Sequence, residues 1–217
     1  MPFVKDFFIT LSENQTLNAA AQKYGPRLGA QKVVAGTNID EAIASIKELN
    51  AQGISCTVDN LGEFVFEKSE ATAAKEQILA VIERIHEEGV NAHISLKPSQ
   101  LGQDIDEEFC YGNLLEIVAY ANKYDIFVNF DMENYARLHS SFKLLDRIHA
   151  QYDNVGTVIQ AYFFESAENI EKYKDLRLRI VKGAYKEDPS VAYQDQLQID
   201  QKFIELIEYH LLHGKFT

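Results

Sequence analysis

The chain has 217 residues, 46% of them hydrophobic and 25% charged, with a net charge of −12. This is ordinary globular material with room for a sizeable core, and its acidity speaks against nucleic-acid binding and against a polybasic membrane anchor. Two cysteines, Cys56 and Cys110, are too few for a disulfide framework and read as reduced small hydrophobes of a cytoplasmic protein, with neither a secretory leader nor an apolar run of the roughly 18 residues a membrane span needs.

Residues 1–50 read as a helical segment ahead of the first strand, with its leading helices within about 2–34. Ile39, Ala42, Ile43, Ile46 and Leu49 recur at helical spacing after a Thr37-x-x-Asp40 capping signal, and Gly53 is the stop. A strand follows over 54–58. The next helix starts near Ser69, shows Ile78, Leu79, Ile82 and Ile85 on one face, and stops at Gly89 before a strand over 92–96. A third helix carries Phe109, Leu114, Ile117, Val118 and Ala121 ahead of a strand over 126–130. A fourth, with Leu138, Phe142, Leu145 and Ile148, precedes a strand over 157–161. A short helix over 165–173 leads to a strand over 178–181, and a last helix with Phe203, Ile204, Ile207 and Leu211 stops at Gly214. Phe216 and Thr217 read as the start of a sixth strand.

Strands separated by helices at this rhythm are parallel and joined by right-handed crossovers. No Gly/Ser-rich linker interrupts them, so 1–217 reads as a single domain. An open doubly wound sheet and a barrel both fit, and the polar residues separate the two. Asp59, Lys97, Asp131, Gln160 and Lys182 each stand at the C-terminal end of a different strand. In a barrel those ends converge on one mouth, whereas in an open sheet they spread along an edge. The pattern therefore predicts an α/β barrel with five to six βα units, short of the roughly 250 residues that eight units take.

Arg179 and Lys182 flank an apolar strand that breaks at Gly183 and presents Tyr185, so at least one cation must meet something anionic or electron-rich. Lys97 and Asp131, on neighbouring strand ends, suit an ion pair, either structural or ready for an anionic substrate group. Asp59-Asn60-Leu61-Gly62-Glu63 reads as an acidic turn in which Glu63 can swing over the opening. Gln160 sits in a buried strand and must be hydrogen-bonded, to backbone or to a ligand. Glu133 is either a second site carboxylate or the N-terminal charge of the following helix. His93 reads as a packed histidine, the other histidines show no metal-ligand spacing, and HExxH, CxxC, P-loop and GxGxxG motifs are all absent. Two chemistries compete: a Schiff-base lyase using Lys182 or Lys97 with Asp131 as proton shuttle, or a flat electron-accepting cofactor held by Arg179, Lys182 and Gln160. A non-catalytic barrel that binds a partner is the third reading.

Five segments in order, each closing a strand, resemble the flavin-dependent proline dehydrogenases in their short monofunctional bacterial form. They are Thr57-Val58-Asp59-Asn60-Leu61-Gly62-Glu63, Ser95-Leu96-Lys97-Pro98-Ser99-Gln100-Leu101-Gly102, Asp131-Met132-Glu133, Val158-Ile159-Gln160-Ala161-Tyr162 and Arg179-Ile180-Val181-Lys182-Gly183-Ala184-Tyr185-Lys186-Glu187. The resemblance implies a (βα)8 TIM-type barrel, incomplete here, with FAD at its mouth. Arg179 and Gln160 would lie near the redox-active N5 edge, with Val181, Lys182, Gly183 and Ala184 on other parts of the cofactor. Lys97, braced by Asp131, would bind the carboxylate of L-proline. Tyr185 would wall the pocket, and Glu63 would form a gate with an arginine of the family's final helix. The implied reaction is hydride transfer from the proline ring to N5, giving Δ1-pyrroline-5-carboxylate, with electrons passing to a membrane quinone through a peripheral membrane contact. The family's Thr-His element and Tyr-x-x-Arg-Arg stretch are not found before Thr217. The expectation is thus a C-terminally truncated enzyme whose 217 residues alone bind FAD weakly or not at all and do not turn over proline.

Overall fold

The computed structural model describes residue 36 and residues 38–60, 62 and 65–215. The leading helices expected over 2–34, Thr37, Glu63 and the strand expected at 216–217 lie outside the described residues. The chain divides into two compact units, Met1–Ile54 and Ser55–Thr217. In the first, α1 (Ile39–Asn50) is capped by Asn38, whose side-chain oxygen accepts the Glu41 N–H at 3.0 Å. The cap thus falls one residue after the one the Thr37-x-x-Asp40 pattern suggests, because a carboxamide accepts the orphan N–H of a first turn as well as a hydroxyl does. Asp40 and Glu41 place their charges at the positive end of this helix.

The second unit is a curled sheet of five strands in sequence order, all parallel: β1 (Cys56–Asp59), β2 (Ala92–Leu96), β3 (Val128–Phe130), β4 (Val155–Gln160) and β5 (Arg177–Val181). They are joined by α2 (Lys68–Glu87), α3 (Glu107–Asn122), α4 (Tyr135–His149) and α5 (Ser166–Tyr173), and α6 (Gln196–His213) follows β5. Parallel neighbours cannot be joined by tight hairpins, so each connection crosses back through a helix. Glu67 and Glu70 close a reciprocal capping box on α2, and Asp106 accepts two N–H groups at the start of α3. These local signals fix where the helices begin.

Strand alternation divides the sheet into two faces. Ile94 and Leu96, Val128 and Phe130, and Thr157 and Ile159 are all buried on the helix-covered face. Fully burying each large apolar side chain contributes about 1.5–3 kcal/mol. The other face carries Thr57 and Asp59, His93 and Ser95, Phe127 and Asn129, Val158 and Gln160, and Arg177 and Arg179. Here the Thr57 hydroxyl meets His93 Nε2 at 2.8 Å and Arg177 stacks over the Phe127 ring at 4.7 Å. His93 is indeed a packed histidine, and burial, followed by the fields of Arg177 and Arg179, pushes its pKa below the ordinary value. Gly156 is required where β4 passes β5, since a Cβ there would strike the Arg177 carbonyl and the Phe127 ring.

Candidate active site at the strand ends

The register brings the polar strand ends together. Asp59 pairs with Ser95 and Leu96 with Phe130, so Lys97 and Asp131 leave adjacent strands at one level, and the Asp131 N–H donates to the Leu96 carbonyl at 2.8 Å. Gln160 pairs with Val181 on the next strands. A cavity of about 350 Å³ opens between Lys97, Asp131, Gln160 and Arg179, with Val181, Lys182, Gly183, Ala184 and Tyr185 completing its wall. A second cavity of about 360 Å³ at the opposite strand ends is lined by residues such as Phe127, His149 and Arg177. None of the sequence-predicted site residues faces it.

Lys97 lies between two carboxylates, and the nearer one is not Asp131. Its ammonium stands 2.8 Å from Asp59 Oδ2 and 3.5 Å from Asp131 Oδ2, with only 14% of the side chain exposed. Burial pulls the Lys97 pKa down, but the hydrogen bond and charge of Asp59, helped by Asp131, outweigh it and hold the pKa above the ordinary lysine value. A lysine kept charged in this way is suited to bind an anion, and unsuited to act as an amine nucleophile. The brace expected from Asp131 therefore comes first from Asp59, in the turn that reads as solvated acid.

Asp131 is committed elsewhere. Its Oδ1 accepts from Arg179 at 2.6 Å, from Ser95 Oγ at 2.6 Å and from Asn129 Nδ2 at 2.9 Å. Ser95 and Asn129 are buried, each two residues before a site residue and therefore on the same face; Ser95 opens one of the five segments, whereas Asn129 stands outside them all. Arg179 keeps 46% of its side chain exposed, so one edge of its guanidinium is held by Asp131 while the remainder faces the cavity.

Gln160 is 5% exposed and donates from Nε2 to the Glu133 backbone carbonyl at 2.7 Å. This is the backbone partner that the sequence allows for. Glu133 is also buried; its Oε1 accepts from Ser99 Oγ at 2.8 Å, and it does not serve as an acid in the first turn of α4. Lys182, also on the cavity wall, pairs with Asp200 of α6 at 2.7 Å, both groups being exposed. Gly183 has φ +113°, and a Cβ there would collide with the Tyr162 ring, so the Gly183–Ala184 backbone lies close against that ring only because no side chain intervenes. Tyr185 reaches the cavity at 36% exposure. Among the described residues no group of three His, Cys, Asp or Glu side chains gathers as a metal site, and no helix is long and apolar enough to cross a membrane.

A family model described as proline dehydrogenase matches residues 42–201. The chain is 39% identical over 216 residues to proline dehydrogenase 1 of Bacillus subtilis (strain 168), covering 99% of this chain and 72% of that protein. It is 33% identical over 195 residues to the proline dehydrogenase of Deinococcus radiodurans, covering 87% of this chain and 63% of the other. In fold it is similar to proline utilization A from Bdellovibrio bacteriovorus inactivated by N-propargylglycine, with a TM-score of 0.81 at 21% identity, over 92% of this chain but only 26% of that one. The curled parallel sheet is accordingly part of a TIM-type barrel. With these matches spanning nearly the whole chain, it belongs to the proline dehydrogenase family, oxidoreductases acting on proline.

Proposed function

We propose that the strand-end cavity is a site for FAD and L-proline, in which the proline ring is oxidised to Δ1-pyrroline-5-carboxylate. The observation that carries this reading is the convergence of Lys97, Asp131 and Gln160, from three strand ends, and Arg179, from within β5, on one cavity in a chain of this family. The donor set fits a flavin: a guanidinium and a carboxamide for its polar edge, a lysine for its anionic locus, and a glycine backbone where a flat ring system can approach. Gln160, Arg179, Val181, Lys182, Gly183 and Ala184 would hold the cofactor. When bound, FAD supplies the acceptor, at N5, for the hydride that leaves the proline ring.

The chain's own residues then bind and orient. Lys97, kept protonated by Asp59, takes the substrate carboxylate through a charge-assisted hydrogen bond. Asp131 fixes the plane of Arg179, so that the guanidinium meets the cofactor edge in one orientation. Gln160, tied to the Glu133 carbonyl, is held in one rotamer. Tyr185 walls the substrate side. Electrons pass on to a membrane quinone, which a cytoplasmic protein reaches by peripheral contact.

FAD titration followed by visible absorption and by quenching of flavin fluorescence tests this reading. Saturable uptake of flavin by these 217 residues, with a spectral change on adding proline, supports the reading. It also overturns the expectation, drawn from the sequence, that they bind FAD weakly or not at all and do not turn over proline. Protein that stays colourless at saturating FAD even when the family's C-terminal units are supplied refutes the cofactor assignment, and borohydride trapping of an aldehyde on a lysine of that colourless protein would favour a Schiff-base lyase instead.

A further inference from the structure

The wall formed by Lys182–Tyr185 is a loop after β5, and the structure shows what holds it. Tyr162, at the end of β4, is 5% exposed and lies beneath Gly183. Its backbone N–H donates to the Lys182 carbonyl at 3.0 Å, and its hydroxyl accepts the Tyr185 N–H. The same hydroxyl reaches Glu187 Oε1 at 3.5 Å. That carboxylate oxygen in turn accepts the N–H of Tyr135, the first residue of α4, at 2.8 Å. Asn134, which occupies the N-cap of α4, makes no side-chain cap bond, and there is no acid in the helix's first turn. Glu187, from 52 residues away in sequence, thus supplies both the missing acceptor and the missing negative charge. The N-cap of α4, Asn134, directly follows Asp131-Met132-Glu133.

We infer that Glu187 is a positioning residue: through Tyr162 and the N-terminus of α4 it clamps the Lys182–Tyr185 wall to the segment that carries Asp131, and so sets the width of the site. The importance of that width rests on the flavin and proline reading above; the clamp itself does not.

Amide hydrogen exchange on the full chain, together with FAD titration, tests the clamp in Glu187→Ala, Glu187→Gln and Tyr162→Phe. One charge-assisted hydrogen bond corresponds to roughly a tenfold change in an opening equilibrium. In Glu187→Ala, exchange at Tyr135 and at Tyr185 should both accelerate by about tenfold, and the FAD dissociation constant should rise by about tenfold. Glu187→Gln keeps an acceptor oxygen and should stay within about threefold of wild type in all three. Tyr162→Phe should release Tyr185 and leave Tyr135 protected. If Glu187→Ala accelerates Tyr135 while Tyr185 and FAD affinity do not change, Glu187 is only a helix cap and the clamp is overturned. If wild-type protein takes up no FAD, the functional reading fails, while the exchange pattern still decides the clamp.

Discussion

Replacing Lys97 by Met removes the ammonium while keeping a stem of similar length to pack. Breaking a buried ion pair by deleting one partner costs about 3–5 kcal/mol when the other is left dry and alone. Here Asp131 keeps Arg179 at 2.6 Å, and Asp59 keeps 26% of its side chain exposed. The expected cost is therefore nearer 2 kcal/mol, borne by Asp59, or about 4–8 °C in melting temperature for a chain of this size. The double variant Lys97→Met with Asp59→Asn should recover part of that loss, with a coupling of about 1–3 kcal/mol. The raised pKa of Lys97 fixes the pH window. Its contribution is fully present below the ordinary lysine value and is lost as pH rises through the higher folded value, so the deficit should be flat near neutrality and narrow in alkali. In binding assays proline affinity should fall by about 10- to 100-fold, as expected for a lost charge-assisted bond, while FAD affinity stays within about threefold. Additive single-variant losses in urea melts refute the Asp59 pairing. Equal losses of proline and FAD affinity refute the substrate role.

Gly183→Ala should cost about 1–3 kcal/mol in stability, because φ +113° is unfavourable for any L side chain, and the methyl group would push the wall off Tyr162. The measurement is a thermal melt alongside FAD titration, and a variant with unchanged melting and unchanged flavin affinity contradicts the close approach. Cys110 is fully buried, and burial pushes its thiol well above the ordinary value. It should not react with a thiol reagent at pH 8 until the chain unfolds; rapid labelling of Cys110 in native protein would place it at a surface.

The strands and the level at which they end were legible because parallel βα units repeat one pattern: an apolar run, one polar residue, a turn. Each polar residue closes its strand as expected, and Lys97, Asp131, Gln160 and Arg179 meet. The partner of Lys97 was not legible. β2 lies between β1 and β3, and both neighbours end at an aspartate, so the lysine on the central strand faces a choice that sequence order leaves open. Packing decides it: Arg179, Ser95 and Asn129 all donate to Asp131 Oδ1, Oδ2 stays 3.5 Å from Lys97, and the lysine donates to Asp59 at 2.8 Å. Glu187 was hidden for a related reason, since a helix capped from a distant loop leaves no signature at its own N-cap. Asn134 looks like an ordinary capping residue and makes no cap bond.

The ion pairs also change what the mouth is. Arg179 and Lys182 look in sequence like a cationic wall, yet in the structure Arg179 meets Asp131, Lys182 meets Asp200, and Lys97 has two carboxylates within reach. Such a mouth attracts anions through placed donors rather than through net charge, because each cation's field is largely cancelled at longer range. An ammonium has three N–H donors. Asp59 accepts one of them at 2.8 Å, and Asp131 Oδ2, at 3.5 Å, adds its charge on a second side, so the ammonium is held in place with a donor to spare. A carboxylate arriving in the cavity finds a lysine whose orientation is already set, so it does not have to spend binding energy on ordering a free side chain. On the proposed reading, the carboxylates that compete with the substrate for Lys97 also make it a selective donor. For the same reason, the stability lost in Lys97→Met and the proline affinity lost with it arise from one ammonium group held in one geometry.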